Sequence, residues 1–141
     1  MNKKTITVEI LVNAPIEKVW EFWTEPKHII QWNFASDDWE CPRAQNNLKV
    51  DGKFKIRMSA KDGSAGFDFE GTYTVVKKYK VIEYLIVGDD SRKVQINFTP
   101  IHNGVKISEI FEMENENSEK LQREGWQSIL NNFKNYAENL K

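Results

Sequence analysis

Along residues 5–12, apolar Ile6, Val8, Ile10 and Val12 alternate with Thr5, Thr7, Glu9 and Leu11, a period of two that predicts a strand with one core face. Ala14-Pro15 ends it, and the fixed φ of Pro15 suits the first turn of a helix. In that helix Val19, Phe22 and Trp23 fall at i, i+3 and i+4, with Trp20 flanking. Pro26 stops it, and His28 to Trp32 is read as a second brief helix. The polar, Asp-rich stretch from Asn33 to Asn47 has no sustained period and reads as a long excursion anchored by Trp32 and Trp39. From Lys53 to Met113 the period of two returns, punctuated by Asp62-Gly63, Gly88-Asp89-Asp90 and Asn103-Gly104. Phe54, Ile56 and Met58 share one parity, and after the turn at Lys61-Asp62-Gly63-Ser64 so do Phe67, Phe69 and Tyr73. Ile82, Tyr84 and Ile86, then Val94, Ile96 and Phe98, then Val105, Ile107 and Phe111 continue the meander.

The last pattern is helical. Between Glu119 and Leu140, Trp126, Ile129, Leu130, Phe133 and Ala137 recur on one face, Ser118 is placed to cap the helix, and Glu119 and Glu124 lie near its positive end. Gly125 is read as permitting close approach of the helix backbone to the sheet. So aromatic a helix needs a sheet to lie on. The expected fold is α+β, a helix-grip arrangement in a single domain spanning 1–141. A curved antiparallel sheet of about six strands wraps around the long C-terminal helix, with two short helices after the first strand. A strongly curved sheet touches a single helix incompletely, so a cavity is expected between them.

Composition narrows the function. At 141 residues the chain is long enough to bury roughly 68–70% of its unfolded surface, so no disulfide or metal staple is required. Twenty basic against 21 acidic residues give a net charge of −1, without the basic field that a nucleic-acid partner requires. The lone Cys41 cannot form an internal disulfide, the N-terminus lacks the apolar core of a signal peptide, and no apolar run approaches a membrane span. A cytoplasmic protein is expected. His28 and His102 are far apart, with no HExxH or clustered ligand spacing, and are assigned structural or surface roles. There is no GxGxxG and no P-loop, so neither a nucleotide cofactor nor a metal is expected.

Asp37, Asp38 and Glu40 read as a solvated loop, whereas Trp32, Trp39 and Cys41 in the same excursion either pin it down or roof a pocket. Glu109 has the parity of Val105, Ile107 and Phe111, which points a carboxylate into the apolar interior unless a bulge turns it outward. A buried acid must be paired, hydrogen-bonded or neutralised, and is a functional candidate where it lines a cleft. Arg92 carries the same ambiguity by its parity with Val94, Ile96 and Phe98. The candidate ligand-binding set is Trp39, Met58, Phe67, Phe69, Tyr84, Ile96, Phe98, Glu109, Trp126 and Phe133. Glu109 and Tyr84 supply the polar contacts to an otherwise apolar guest. Periodicity does not separate core from pocket wall among the aromatics. No residue is assigned a catalytic role.

Several segments carry a family resemblance: Ala14-Pro15-Ile16-Glu17-Lys18-Val19-Trp20, Trp32-Asn33, Ala60-Lys61-Asp62-Gly63-Ser64, Gly66-Phe67-Asp68-Phe69 and Gly71-Thr72-Tyr73. Phe111-Glu112, Gln122-Arg123-Glu124-Gly125-Trp126-Gln127, Ile129-Leu130 and Asn132-Phe133 continue it. Together they resemble the START-like, or SRPBCC, superfamily, and within it the branch related to the C-terminal domain of the activator of the heat-shock chaperone ATPase. The resemblance implies a strand, two short helices, a meander and a long terminal helix. It also implies a range of occupations, since the superfamily includes lipid and sterol carriers, hormone-binding proteins, polyketide cyclases and chaperone regulators. The expected function is binding of an apolar, lipid-like or aromatic small molecule. The alternatives are a co-chaperone-like interaction module with a chaperone contact, and a cyclase-type enzyme using cavity acid-base groups.

Overall fold

The computed structural model describes residues 4–88 and 91–140. Its strands are β1 (Thr5–Val12), β2 (Trp39–Asn46), β3 (Lys53–Ala60), β4 (Gly66–Lys77), β5 (Val81–Ile86), β6 (Lys93–Ile101) and β7 (Gly104–Glu112). The helices are α1 (Ile16–Thr24), α2 (Pro26–Ile29) and α3 (Glu119–Leu140). The strands form one curled antiparallel sheet in the order β1-β7-β6-β5-β4-β3-β2, so β2 to β7 are a continuous meander and β1 returns to pair with β7. The inner face follows the alternation in the sequence: Ile6, Val8 and Val12, Ile82 and Ile86, Val94 and Phe98, and Val105, Ile107 and Phe111 are all buried.

The structure differs from expectation in three places. The sheet has seven strands rather than about six, because part of the supposed excursion at 33–47 is β2. Its period was hidden by Pro42 and by a register shift between Glu40 and Arg43, both tolerated because β2 is an edge strand with one side unpaired. The second helix begins at Pro26 and ends at Ile29, where it was expected over His28 to Trp32; proline opens it at the first turn as well as closing α1. Gly125 does not make a close approach, for a Cβ built there would meet nothing within 4 Å. Of the turn expected at Gly88-Asp89-Asp90, Asp89 and Asp90 lie outside the described residues.

The placement of α3 explains the space inside. Ser118 caps it, its Oγ accepting from the Leu121 amide at 3.1 Å. The helix then runs along the free edge of β1, where Arg123, Gln127 and Lys134 donate to the carbonyls of Thr7, Glu9 and Leu11 at 2.9, 3.1 and 2.7 Å. Those edge carbonyls would otherwise form a template for another strand. Leu130, Phe133 and Ala137 are fully buried on the inner side, and Trp126 stacks on Phe111 of β7 with ring centroids 4.0 Å apart. At the opposite edge α2 packs on β2. Helices thus hold the two edges of the sheet, and its concave centre is only partly covered. No helix among the described residues is long and apolar enough to cross a membrane.

Candidate functional site

The uncovered concave surface forms a cavity of about 250 Å³. Phe54, Ile56 and Met58 of β3 form one wall and Phe67, Phe69 and Tyr73 of β4 the next. Ile82 and Tyr84 of β5, Ile96 of β6 and Glu109 of β7 form the floor, and Trp126 and Ile129 of α3 with Trp23, Ile29 and Trp32 of the short-helix region close the top. Phe54 is held by the glycine opposite it: a Cβ on Gly71 would lie 2.4 Å from its ring. Trp32 is fixed by an indole N–H donated to the carbonyl of Phe22 at 3.0 Å, so it both pins its segment and roofs the cavity.

Seven of the ten residues expected at the site line this space: Met58, Phe67, Phe69, Tyr84, Ile96, Glu109 and Trp126. Three do not. Phe98 and Phe133 lie behind Trp23, with ring centroids 5.7 and 4.9 Å from it, and are core residues. Trp39 stands outside, its ring 6.0 Å from that of Phe67, in a groove that shares Met58, Phe67, Trp126 and Ile129 with the cavity and leads into it. The missing side chain of Gly125 widens that groove, and Phe67 and Leu121 are half exposed along it.

Glu109 points inward. Its register with Val8 on one side and Ile96 on the other is unbroken, which rules out the outward bulge. Only 5% of the residue is exposed, and burial pushes its carboxyl from the ordinary 4.5 up to about 8, so at neutral pH it is largely the uncharged acid. The Tyr84 phenol is pushed well above 10 by burial first, then by the neighbouring Glu109 and Tyr73, with Arg92 opposing. Arg92, the residue before β6, lines the same cavity. The third polar element is Tyr73, whose hydroxyl donates to Asn46 Oδ1 at 2.5 Å while Asn46 Nδ2 donates to the carbonyl of Thr24 at 2.7 Å. This chain ties edge strand β2 to the end of α1 and keeps the wall in place.

A family model described as Activator of Hsp90 ATPase homolog 1-like protein matches residues 13–138. The chain belongs to this family. Among solved structures, an AHSA1-like protein from Aeromonas hydrophila is 40% identical with a TM-score of 0.89, the match covering 96% of this chain and 93% of that one. A protein from Cytophaga hutchinsonii is 52% identical with a TM-score of 0.81, over 96% and 92% of the two chains. A Nitrosomonas europaea protein, 18% identical with a TM-score of 0.81, shares the fold alone. No curated protein matches the chain. The START-like branch read from the sequence is therefore the family found, and a curled sheet of this kind is a ligand-binding type of domain.

Some lining residues of this AHSA1-like domain escape the sequence. Phe54 and Tyr73 have the right parity, but parity gives the face of a strand and not the depth at which a side chain stops. Asn46 was hidden with the rest of β2. Outside the cavity, His28 ties the short helices to α3, its Nδ1 2.6 Å from the Tyr136 hydroxyl and its Nε2 3.2 Å from Glu21. Glu21, Glu25 and His28 bring their ligand atoms within 4.8 Å of one another, a grouping that matches no ligand motif in the sequence because it spans the break between α1 and α2. His102 is exposed in the β6–β7 turn, and Asp37, Asp38 and Glu40 are exposed. Cys41 is buried, and desolvation raises its thiol to about 11.

Proposed function

We propose that this domain binds a small, mainly apolar ring compound between the sheet and α3. The observation that carries the reading is the 250 Å³ cavity, walled by aromatic side chains, with polar groups gathered on its floor and a groove leading out. An apolar protein cavity of about 150 Å³ holds benzene, so this volume suits one or two fused rings or a short acyl chain and is too small for a sterol. The one thiol of the chain, Cys41, is not among the residues that line it. The test is a thermal-shift series with indole, naphthalene and nitrobenzene. Tm should climb with the logarithm of probe concentration, as linkage requires. Ile129→Trp, which fills the space from α3, should abolish the shift while the variant still melts cooperatively. A Tm that stays flat across the series would defeat the proposal.

The family description and the half-exposed Phe67 and Leu121 along the groove favour one second reading, contact with a heat-shock chaperone through that groove. Stimulation of a chaperone ATPase by the wild-type domain, lost in Phe67→Ser/Leu121→Ser, would support it; no stimulation would remove it.

A further inference from the structure

Two acidic oxygen groups lie where an apolar ligand has no use for them. Tyr84 and Glu109 are 6% and 5% exposed, and both line the cavity. They come from β5 and β7 with one strand between: Tyr84 pairs with Val94, and Glu109 with Ile96 two residues along β6 on the same inner face. Among the described residues no protein hydrogen bond is made by the Tyr84 hydroxyl or the Glu109 carboxyl, both of which border the cavity, whereas the neighbouring Tyr73 hydroxyl donates to Asn46. Buried polar groups of this kind are rarely left without partners, because each one unmatched costs on the order of 1–3 kcal/mol. Their partners must then come from what occupies the cavity.

We propose that the guest carries an electron-rich oxygen of phenol or enol type, received between the Tyr84 hydroxyl and the Glu109 carboxylic acid group. This rests on the binding reading above and names its ligand class. A tyrosine hydroxyl and an uncharged carboxylic acid on the wall of one cavity are two neutral O–H donors, a pairing that stabilises a partly or fully negative oxygen. Burial keeps Glu109 in the required protonated form at neutral pH. The remaining charged groups on the lining are Arg92 and Glu114. Arg92 is the one that acts on Tyr84 electrostatically, and its positive charge favours an oxyanion over an ammonium group. The aromatic walls of Phe54, Phe69 and Trp126 accept the ring to which that oxygen is attached.

The experiment compares para-nitrophenol, nitrobenzene and benzylammonium at neutral pH by calorimetric titration, with the absorption band of para-nitrophenol reporting its ionisation. The expected result is that para-nitrophenol binds about tenfold more tightly than nitrobenzene and shifts toward the phenolate form on binding. Tyr84→Phe and Glu109→Leu should each remove most of that preference. A single cooperative urea transition in both variants, with the m-value of the wild type, shows that the domain is still folded. Equal affinity for para-nitrophenol and nitrobenzene, or tighter binding of benzylammonium, would overturn the proposal and leave the cavity reading standing. If none of the three binds, the cavity reading falls and takes this inference with it.

Discussion

Replacing Glu109 by glutamine should make the protein more stable, and increasingly so as pH rises. The carboxyl titrates near 4.5 in an unfolded chain and near 8 in the folded one. Below pH ~4.5 both states hold the proton, and the residue has no pH-dependent cost. Between pH ~4.5 and ~8 the unfolded state releases the proton and the native state keeps it. Native stability therefore falls with rising pH, by up to about 1.4 kcal/mol per pH unit. Above pH ~8 both states are ionised and the cost is constant. Over the whole interval this reaches on the order of 5 kcal/mol, an upper limit because water entering the cavity solvates the ionised group. Glutamine nearly matches the shape and does not titrate. The assay is urea unfolding of wild type and Glu109→Gln at intervals from pH ~5 to ~8.5, taking the difference in stability at each pH so that every other titration cancels. That difference should grow by roughly 2–4 kcal/mol across the range, with unchanged m-values. A difference that stays constant with pH would refute the assignment of Glu109 as a buried, proton-retaining acid.

Three further outcomes follow from the packing. Gly125→Ala places a methyl where nothing lies within 4 Å, inside a 22-residue helix, so it should stabilise by about 0.5–1 kcal/mol through helix propensity, read as a raised urea midpoint. Gly71→Ala sets a Cβ 2.4 Å from the Phe54 ring and should destabilise by roughly 1–3 kcal/mol in the same assay, with changed near-ultraviolet circular dichroism from the aromatic cluster. With its thiol near 11 and its side chain buried, Cys41 should react with Ellman's reagent at pH ~8 at least about 100-fold more slowly in the native protein than in urea; comparable rates would show that the β2 edge opens readily.

Much of the fold was legible because it rests on local periodicity. The alternation of Ile6, Val8 and Val12, of Ile82, Tyr84 and Ile86, and of Val105, Ile107, Glu109 and Phe111 assigns each residue to a face with no knowledge of its neighbours, and the structure keeps those faces. The inward aim of Glu109 follows from the same parity, since no bulge intervenes in β7. Ser118 was readable as a cap because capping is a contact within four residues. β2 was not readable. Its pairing with β3 is nonlocal, and a proline and a bulge erase the alternation that would have announced it.

The sequence by itself determined every strand but β2, the terminal helix, the family and which side chains of those strands face the interior, because period and turn chemistry act over a few residues. Only the tertiary structure decided that Phe98 and Phe133 pack behind Trp23 while Phe54 and Tyr73 border open space, and that Trp39 stands outside it. The depth of a residue depends on where α3 settles. Its bonds to the edge carbonyls of β1 draw it to one side of the sheet, which separates filled core from cavity.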